Sequence, residues 1–86
     1  MAKYDVVFKR SVYKDLKPIP KLDVTSILKR IDTLANDPRD LGCEKLSGQE
    51  RYRVRQGVYR IVYEIEDGRL IVTVVKIGHR AQVYDR

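Results

Sequence analysis

Tyr52-Arg53-Val54-Arg55-Gln56-Gly57-Val58-Tyr59-Arg60-Ile61-Val62-Tyr63 alternates apolar and basic residues on both sides of a Gln-Gly pair. That alternation is the pattern of a β-hairpin with one face to be covered and one face charged, since successive strand residues point to opposite sides. The glycine supplies the positive φ that a two-residue hairpin loop needs. The spacing predicts strands over 51–55 and 58–66. Reading on, Asp67-Gly68 offers a second tight turn and 69–77 a third strand.

With two-residue loops at 56–57 and 67–68, Arg53 lies opposite Arg60, Tyr52 opposite Ile61, Tyr63 opposite Val72 and Ile61 opposite Val74. Both hairpins then place Tyr52, Val54, Tyr59, Ile61, Tyr63, Ile65, Leu70, Val72 and Val74 on one apolar face. The other face carries Arg51, Arg53, Arg55 and Arg60, with Val58, Val62, Thr73 and Val75 around them.

Directly opposed like charges weaken a sheet by up to about 1 kcal/mol, and an anion held between them removes that loss. Arginine suits the task because its planar fork makes paired hydrogen bonds to phosphate oxygens and stays charged at physiological pH. A solvent-facing strand is often rich in Lys or Arg for solubility alone. Four clustered arginines with no interleaved carboxylate point instead to an anion site that holds backbone phosphates and stabilises charge on a reacting one. Tyr59 and Tyr63 could stack on bases, but their parity assigns them to the core.

Upstream, 4–8 reads as a first strand. A short helix over 9–17 is ended by Pro18 and Pro20, which cannot extend the hydrogen-bond ladder. Asp23 is placed as the N-cap of a second helix, in which Val24, Ile27, Leu28, Ile31, Leu34 and Ala35 share one face. Asn36-Asp37-Pro38 ends it, and 39–50 reads as a loop with Leu41 and Leu46 turned inward. The expected fold is therefore α+β: an N-terminal strand, a helical hairpin, then an antiparallel sheet of three further strands with helices on one face.

At 86 residues the chain has room for a single domain, 1–86. Its 43% hydrophobic content is enough for a core despite 35% charged residues. Apolar runs are short and the start, Met1-Ala2-Lys3-Tyr4, has no signal-peptide core, so a cytoplasmic location is expected, without membrane contact. One cysteine, Cys43, and one histidine, His79, supply neither a disulfide nor a metal cluster, and no cofactor is expected. The net charge of +6 favours an anionic partner. Residues 51–86 hold eight Lys/Arg against four Asp/Glu, compared with ten against eight before them, and seven of those eight cations are Arg.

If the last strand runs on past Ile77, His79 falls on the parity of the arginine face. Cleavage of RNA at a 2′-hydroxyl needs a base, cations for the charged transition state and an acid for the departing 5′-oxygen. His79 is a natural proton-transfer group and Tyr84 a weaker one.

The stretch 52–63, followed by a hairpin, Gly78-His79-Arg80 and Val83-Tyr84, resembles the RelE family of bacterial and archaeal toxins, and Lys45-Leu46-Ser47-Gly48 is similar to the family's pattern ahead of its second strand. The resemblance covers nearly the whole chain. It implies a fold akin to microbial RNases and a RelB-like antitoxin, encoded in the same operon, whose extended segment wraps the toxin in a hetero-oligomer. It also implies metal-independent, ribosome-dependent cleavage of mRNA in the A site, with contacts to ribosomal RNA and a 2′,3′-cyclic phosphate product.

Carried over by position, Arg53 and Arg55 stand where the family has basic residues, often Lys, at the reacting nucleotide. Arginine is a poor base, so proton transfer moves elsewhere. Arg60 and Arg80 match phosphate-stabilising arginines, His79 a proton-transferring His, Tyr84 the C-terminal Tyr of the ribonuclease branch, and Glu44 a general base in one branch. With Arg51, the arginines 53, 55, 60 and 80 form the expected RNA-binding set. Two other readings remain: a toxin of the ParE branch that inhibits DNA gyrase, and a non-catalytic RNA-binding module. His79, Arg80 and Tyr84 lean against the ParE branch, because a gyrase inhibitor needs no proton-transfer group beside an anion site.

Overall fold

Strand β4 (Tyr59–Glu66) pairs on both sides and organises the molecule. A computed structural model describes residues 3–40, 42–46 and 50–79. The elements run β1 (Asp5–Phe8), α1 (Arg10–Leu16), α2 (Lys21–Leu34), β2 (Glu44–Lys45), β3 (Arg51–Gln56), β4 and β5 (Ile71–His79), with a 3-10 turn over Asp67–Arg69. The five strands form one sheet in the order β1-β5-β4-β3-β2. β1 runs parallel to β5 and the other pairings are antiparallel. The α+β expectation holds, with one strand more than expected: Glu44–Lys45, read as loop, pairs with β3. Among the described residues no helix is long and apolar enough to cross a membrane.

Both helices pack on one face of the sheet. Val12 of α1 and Ile27, Ile31 and Leu34 of α2 meet Val54, Ile61, Tyr63, Val72, Val74 and Ile77 in a single cluster. Leu28, placed on the apolar stripe by its spacing, is instead exposed at the stripe's edge. Pro20, not Asp23, sits at the N-cap, and Asp23 lies inside the first turn, where its charge still meets the helix dipole.

Both hairpins differ from the predicted register. The first turn is Gly57-Val58, one residue later than expected, with Gly57 at φ 61° in the first central position, as a type II′ turn requires. The shift moves every partner by two residues, so the faces survive while the pairs change: Arg55 faces Arg60, Arg53 faces Val62 and Tyr52 faces Tyr63. In the second hairpin the connection is longer, Glu66 faces Ile71, and Leu70 takes the left-handed conformation at φ 52°. Leu70 is consequently exposed and not part of the core face.

A β-bulge interrupts the β4–β5 ladder. Tyr63 faces Val74, but Val62 faces Lys76, so Val75 is the additional residue on β5. Beyond the bulge the alternation of β5 is inverted. Ile77 enters the helix-covered core, whereas unbroken alternation from Val72 and Val74 would have turned it outward. β1 stops pairing with β5 at Val74, and α1 takes over this edge: Asp15 Oδ2 accepts a hydrogen bond from the Ile77 amide at 3.1 Å.

At the far end of the sheet a polar clamp joins four segments. Arg39 makes paired bonds to Asp67, Nη1–Oδ1 at 3.0 Å and Nη2–Oδ2 at 2.9 Å, while its Nε donates to the Tyr52 hydroxyl at 3.1 Å. The Tyr4 hydroxyl donates to Asp67 Oδ1 at 2.7 Å, and the Arg39 guanidinium lies 5.3 Å from the centre of the Tyr52 ring. Tyr52 stacks on buried Tyr63 at 5.9 Å, and the Tyr63 hydroxyl donates to the Pro38 carbonyl. The Arg39 guanidinium, followed by the Tyr4 hydroxyl, holds the Asp67 carboxyl down at about 2, below its ordinary 3.8. A carboxylate with a depressed folded-state pKa stabilises the fold above its unfolded pKa, and that contribution fades as pH falls through the folded value. Asp67→Asn should therefore lower the melting temperature at neutral pH, and the gap from wild type should shrink between pH 4 and pH 2, as read by thermal denaturation.

Candidate nucleic-acid interface

The sheet face turned away from the helices carries the arginines. β3 and β4 put Arg51, Arg53, Arg55 and Arg60 on this side because each alternates with a core residue: Tyr52, Val54, Tyr59 and Ile61. The directly opposed like-charged pair is Arg55 and Arg60, in place of the expected Arg53 and Arg60. Beneath them lies a small apolar floor of Leu46, Val62 and Val75, separate from the main core. The inward-turned Leu46 thus belongs to the arginine side. The bulge supplies Val75 to this floor, and Lys76 faces Val62 next to it.

Burial raises the electrostatic weight of this cluster. The Arg53 side chain is only 13% exposed, and the Nε atoms of Arg53 and Arg60 are shut off from solvent. A cation in partly excluded solvent attracts an anion more strongly than one in bulk water, because the local dielectric is lower. Arg55 is exposed and points its charge outward.

Carboxylates are interleaved here, contrary to the sequence expectation. Glu44 of β2 accepts from Arg53 Nη2 at 3.1 Å, and Glu64 of β4 accepts from Arg51 Nε at 2.8 Å. Arg51 faces Glu64 directly across the β3–β4 ladder, a pairing visible in the sequence only once the turn is set at Gly57-Val58. Glu64 is held to Arg51 directly across the ladder, whereas Glu44 reaches Arg53 from an exposed edge strand, so the cationic part of the surface centres on Arg53, Arg55 and Arg60. Glu44, placed in a loop by sequence, stands on an edge strand beside Arg53 with 61% of its side chain exposed.

His79 lies on the other side of the sheet. The bulge inverts β5 ahead of it, so His79 pairs with Tyr59 and its ring meets the Tyr59 ring edge-on at 6.0 Å and 79° on the helix-covered side. The expectation that it shares the arginine face fails for that reason. It lines an open cavity of about 340 Å³ with Lys14, Asp15, Pro18, Ile19, Tyr59, Lys76, Ile77 and Gly78. Tyr59 and Tyr63 belong to the core, as their parity predicts. Burial and then the neighbouring Asp23 push the Tyr59 hydroxyl up, and burial pushes Tyr63 up further. Arg80 and Tyr84, and Ser47 and Gly48 of the upstream motif, lie outside the described residues.

Residues 6–84 match the family described as ParE toxin of type II toxin-antitoxin system, parDE. The chain belongs to the ParE toxin family of the RelE/ParE superfamily. Among curated relatives, this type II toxin is 28% identical to Toxin RelG of Mycobacterium tuberculosis, covering 96% of this chain and 98% of RelG. It is 30% identical to Putative toxin RelE1 of Methanocaldococcus jannaschii, covering 95% and 96%. Its fold superposes on a chain of the toxin-antitoxin complex RelBE2 from Mycobacterium tuberculosis with a TM-score of 0.83 at 25% identity, covering 95% and 97%.

In this RelE/ParE toxin the two engaged arginines should behave differently from the exposed one. Each phosphate contact contributes about −0.7 to the slope of log affinity against log salt for single strands. Arg55→Ala should reduce that slope by about this amount, and Arg51→Ala by less, because Arg51 must first leave Glu64. Glu64→Gln releases Arg51 and should tighten binding of single-stranded RNA. Fluorescence anisotropy across a salt series measures all three.

Proposed function

We propose that this toxin is an endoribonuclease that cleaves mRNA in the ribosomal A site and thereby stops translation. The observation that supports this most is the grouping of Arg53, Arg55 and Arg60 over an apolar floor on one open sheet face. Such a surface suits a bent RNA backbone, with the guanidinium forks on phosphate oxygens. The RNA's own 2′-hydroxyl supplies the nucleophile. Its oxygen bonds to the adjacent phosphorus, the bond from phosphorus to the 5′-oxygen breaks, and the products are a 2′,3′-cyclic phosphate and a 5′-hydroxyl.

Arg53, Arg55 and Arg60, joined by Arg80, hold the phosphate and offset the charge of the transition state. Glu44 is the proposed base: its carboxylate is within 3.1 Å of Arg53, so a substrate phosphate on Arg53 brings the reacting hydroxyl near it. Tyr84 is the proposed proton donor to the 5′-oxygen. His79 is left out of the proton transfers, because the sheet stands between its ring and the arginines. Ribosomal RNA offers further phosphates to the surrounding cations.

A RelB-like antitoxin, encoded beside the toxin, is the proposed partner in a cytoplasmic hetero-oligomer. The superposed Mycobacterium tuberculosis chain is part of a RelBE2 complex, which supports this reading.

A second reading follows from two observations. The matching family is described as ParE, and His79 does not stand beside the anion site, which removes one of the sequence grounds for preferring a ribonuclease. In that reading the arginine face docks on DNA gyrase. Primer extension on mRNA from translating ribosomes, run beside a gyrase supercoiling assay, separates the two. The ribonuclease reading predicts new 5′ ends at A-site codons, abolished by Arg60→Ala in a variant with an unchanged melting temperature. Intact mRNA with inhibited supercoiling would select the gyrase reading.

A further inference from the structure

The end of β5 is held from behind at the level of Arg60. Tyr59 and His79 face each other across β4 and β5, and the adjacent cross-strand pair is Arg60 and Gly78. On the helix side the imidazole meets the Tyr59 ring edge-on at 6.0 Å, and the Tyr59 hydroxyl reaches Asp23 Oδ2 of α2 at 3.5 Å. One residue before Gly78, the Ile77 amide donates to Asp15 Oδ2 of α1 at 3.1 Å. Both helices thus grip the two strands at the point where Arg60 leaves on the opposite face. Gly78, which carries no side chain, is the cross-strand neighbour of Arg60.

We infer that His79 is a positioning residue for Arg60, acting through the packing of its ring against Tyr59 and not by proton transfer. An edge-to-face pair favours one relative orientation of the two rings and so steadies the strand ends that carry them. Without the ring, the ends of β4 and β5 lose the contact that holds Tyr59 toward α2, and Arg60, one residue on, loses its aim. Proton transfer makes the opposite demand: it requires the imidazole nitrogens and is indifferent to ring packing. This inference rests on the arginine face binding phosphate, as proposed above, and a readout independent of cleavage keeps the two apart.

The experiment measures binding of a non-cleavable 2′-O-methyl oligoribonucleotide by fluorescence anisotropy across a potassium chloride series. It compares wild type, Arg60→Ala, His79→Ala, His79→Phe and the Arg60→Ala/His79→Ala double variant, each checked by melting temperature. Arg60→Ala should lower the salt slope by about 0.7, the loss of one phosphate contact on a single strand. His79→Ala should lower it by a similar amount, His79→Phe should restore the wild-type slope, and the double variant should lose no more than Arg60→Ala alone. In a cleavage assay His79→Phe should keep the wild-type pH profile. A His79→Phe variant as impaired as His79→Ala overturns the inference, as does a wild-type slope in His79→Ala. An unchanged slope in Arg60→Ala overturns the underlying phosphate-binding reading, and the positioning role falls with it.

Discussion

The register of β4 between β3 and β5 is the constraint on which the rest of this structure depends. Its residues Tyr59 to Glu64 are paired on both sides, so their backbone groups are satisfied within the sheet. In that alignment Ile61 and Tyr63 are fully buried against the helices. A slip of one residue would turn both into solvent and bring Arg60 and Glu64 into the core, where an unpaired charge costs several kcal/mol. The same alternation that buries Ile61 and Tyr63 therefore presents Arg60 outward. Core and candidate site are two sides of one register.

The bulge at Val75 divides β5 into halves with different duties. Before it, β5 is covered by β1 and alternates in step with β4. After it, β5 has turned over, Ile77 closes the core under α1, and His79 follows Ile77 to the helix side. A single inserted residue thereby removes an imidazole from the arginine face and contributes Val75 to the floor under the arginines. What remains there for proton transfer, among the described residues, is carboxylate: Glu44 beside Arg53 and Glu64 beside Arg51. Glu64 is committed to its partner at 2.8 Å and directly opposed in the ladder, whereas Glu44 stands on an edge and is open to solvent.

Much of this was legible in the sequence. Alternation in 51–66 and the helical spacing of Ile27, Ile31 and Leu34 place the core faces, because burial follows periodicity whatever the loops do. Loop chemistry is where the reading failed. Either Gln56-Gly57 or Gly57-Val58 can close the first hairpin, since glycine serves in either central position, and the choice decides which arginines oppose each other and whether Glu64 meets Arg51. Leu70 in the left-handed region has no sequence signal, because glycine was available two residues earlier. The bulge leaves a trace that the reading missed: the apolar parity of Val72 and Val74 passes to Ile77, with Lys76 where an unbroken strand would bury a residue, so the phase changes at Val74-Val75. A two-residue strand such as Glu44–Lys45 is too short for periodicity to show. The clamp of Arg39 on Asp67 joins residues far apart in the chain and depends on the tertiary fold.

Electrostatics links these features to activity. Paired carboxylates reduce the pull of Arg51 and orient Arg53, leaving a compact cationic centre at Arg53, Arg55 and Arg60. The most direct test of that centre is nuclear magnetic resonance of the arginine Nε–Hε groups during titration with a non-cleavable 2′-O-methyl RNA. The account predicts that the signals of Arg53, Arg55 and Arg60 shift together and saturate at one RNA per toxin, with the signals of α1 and α2 unmoved. Shifts confined to the helical face, with these three arginines silent, would contradict it.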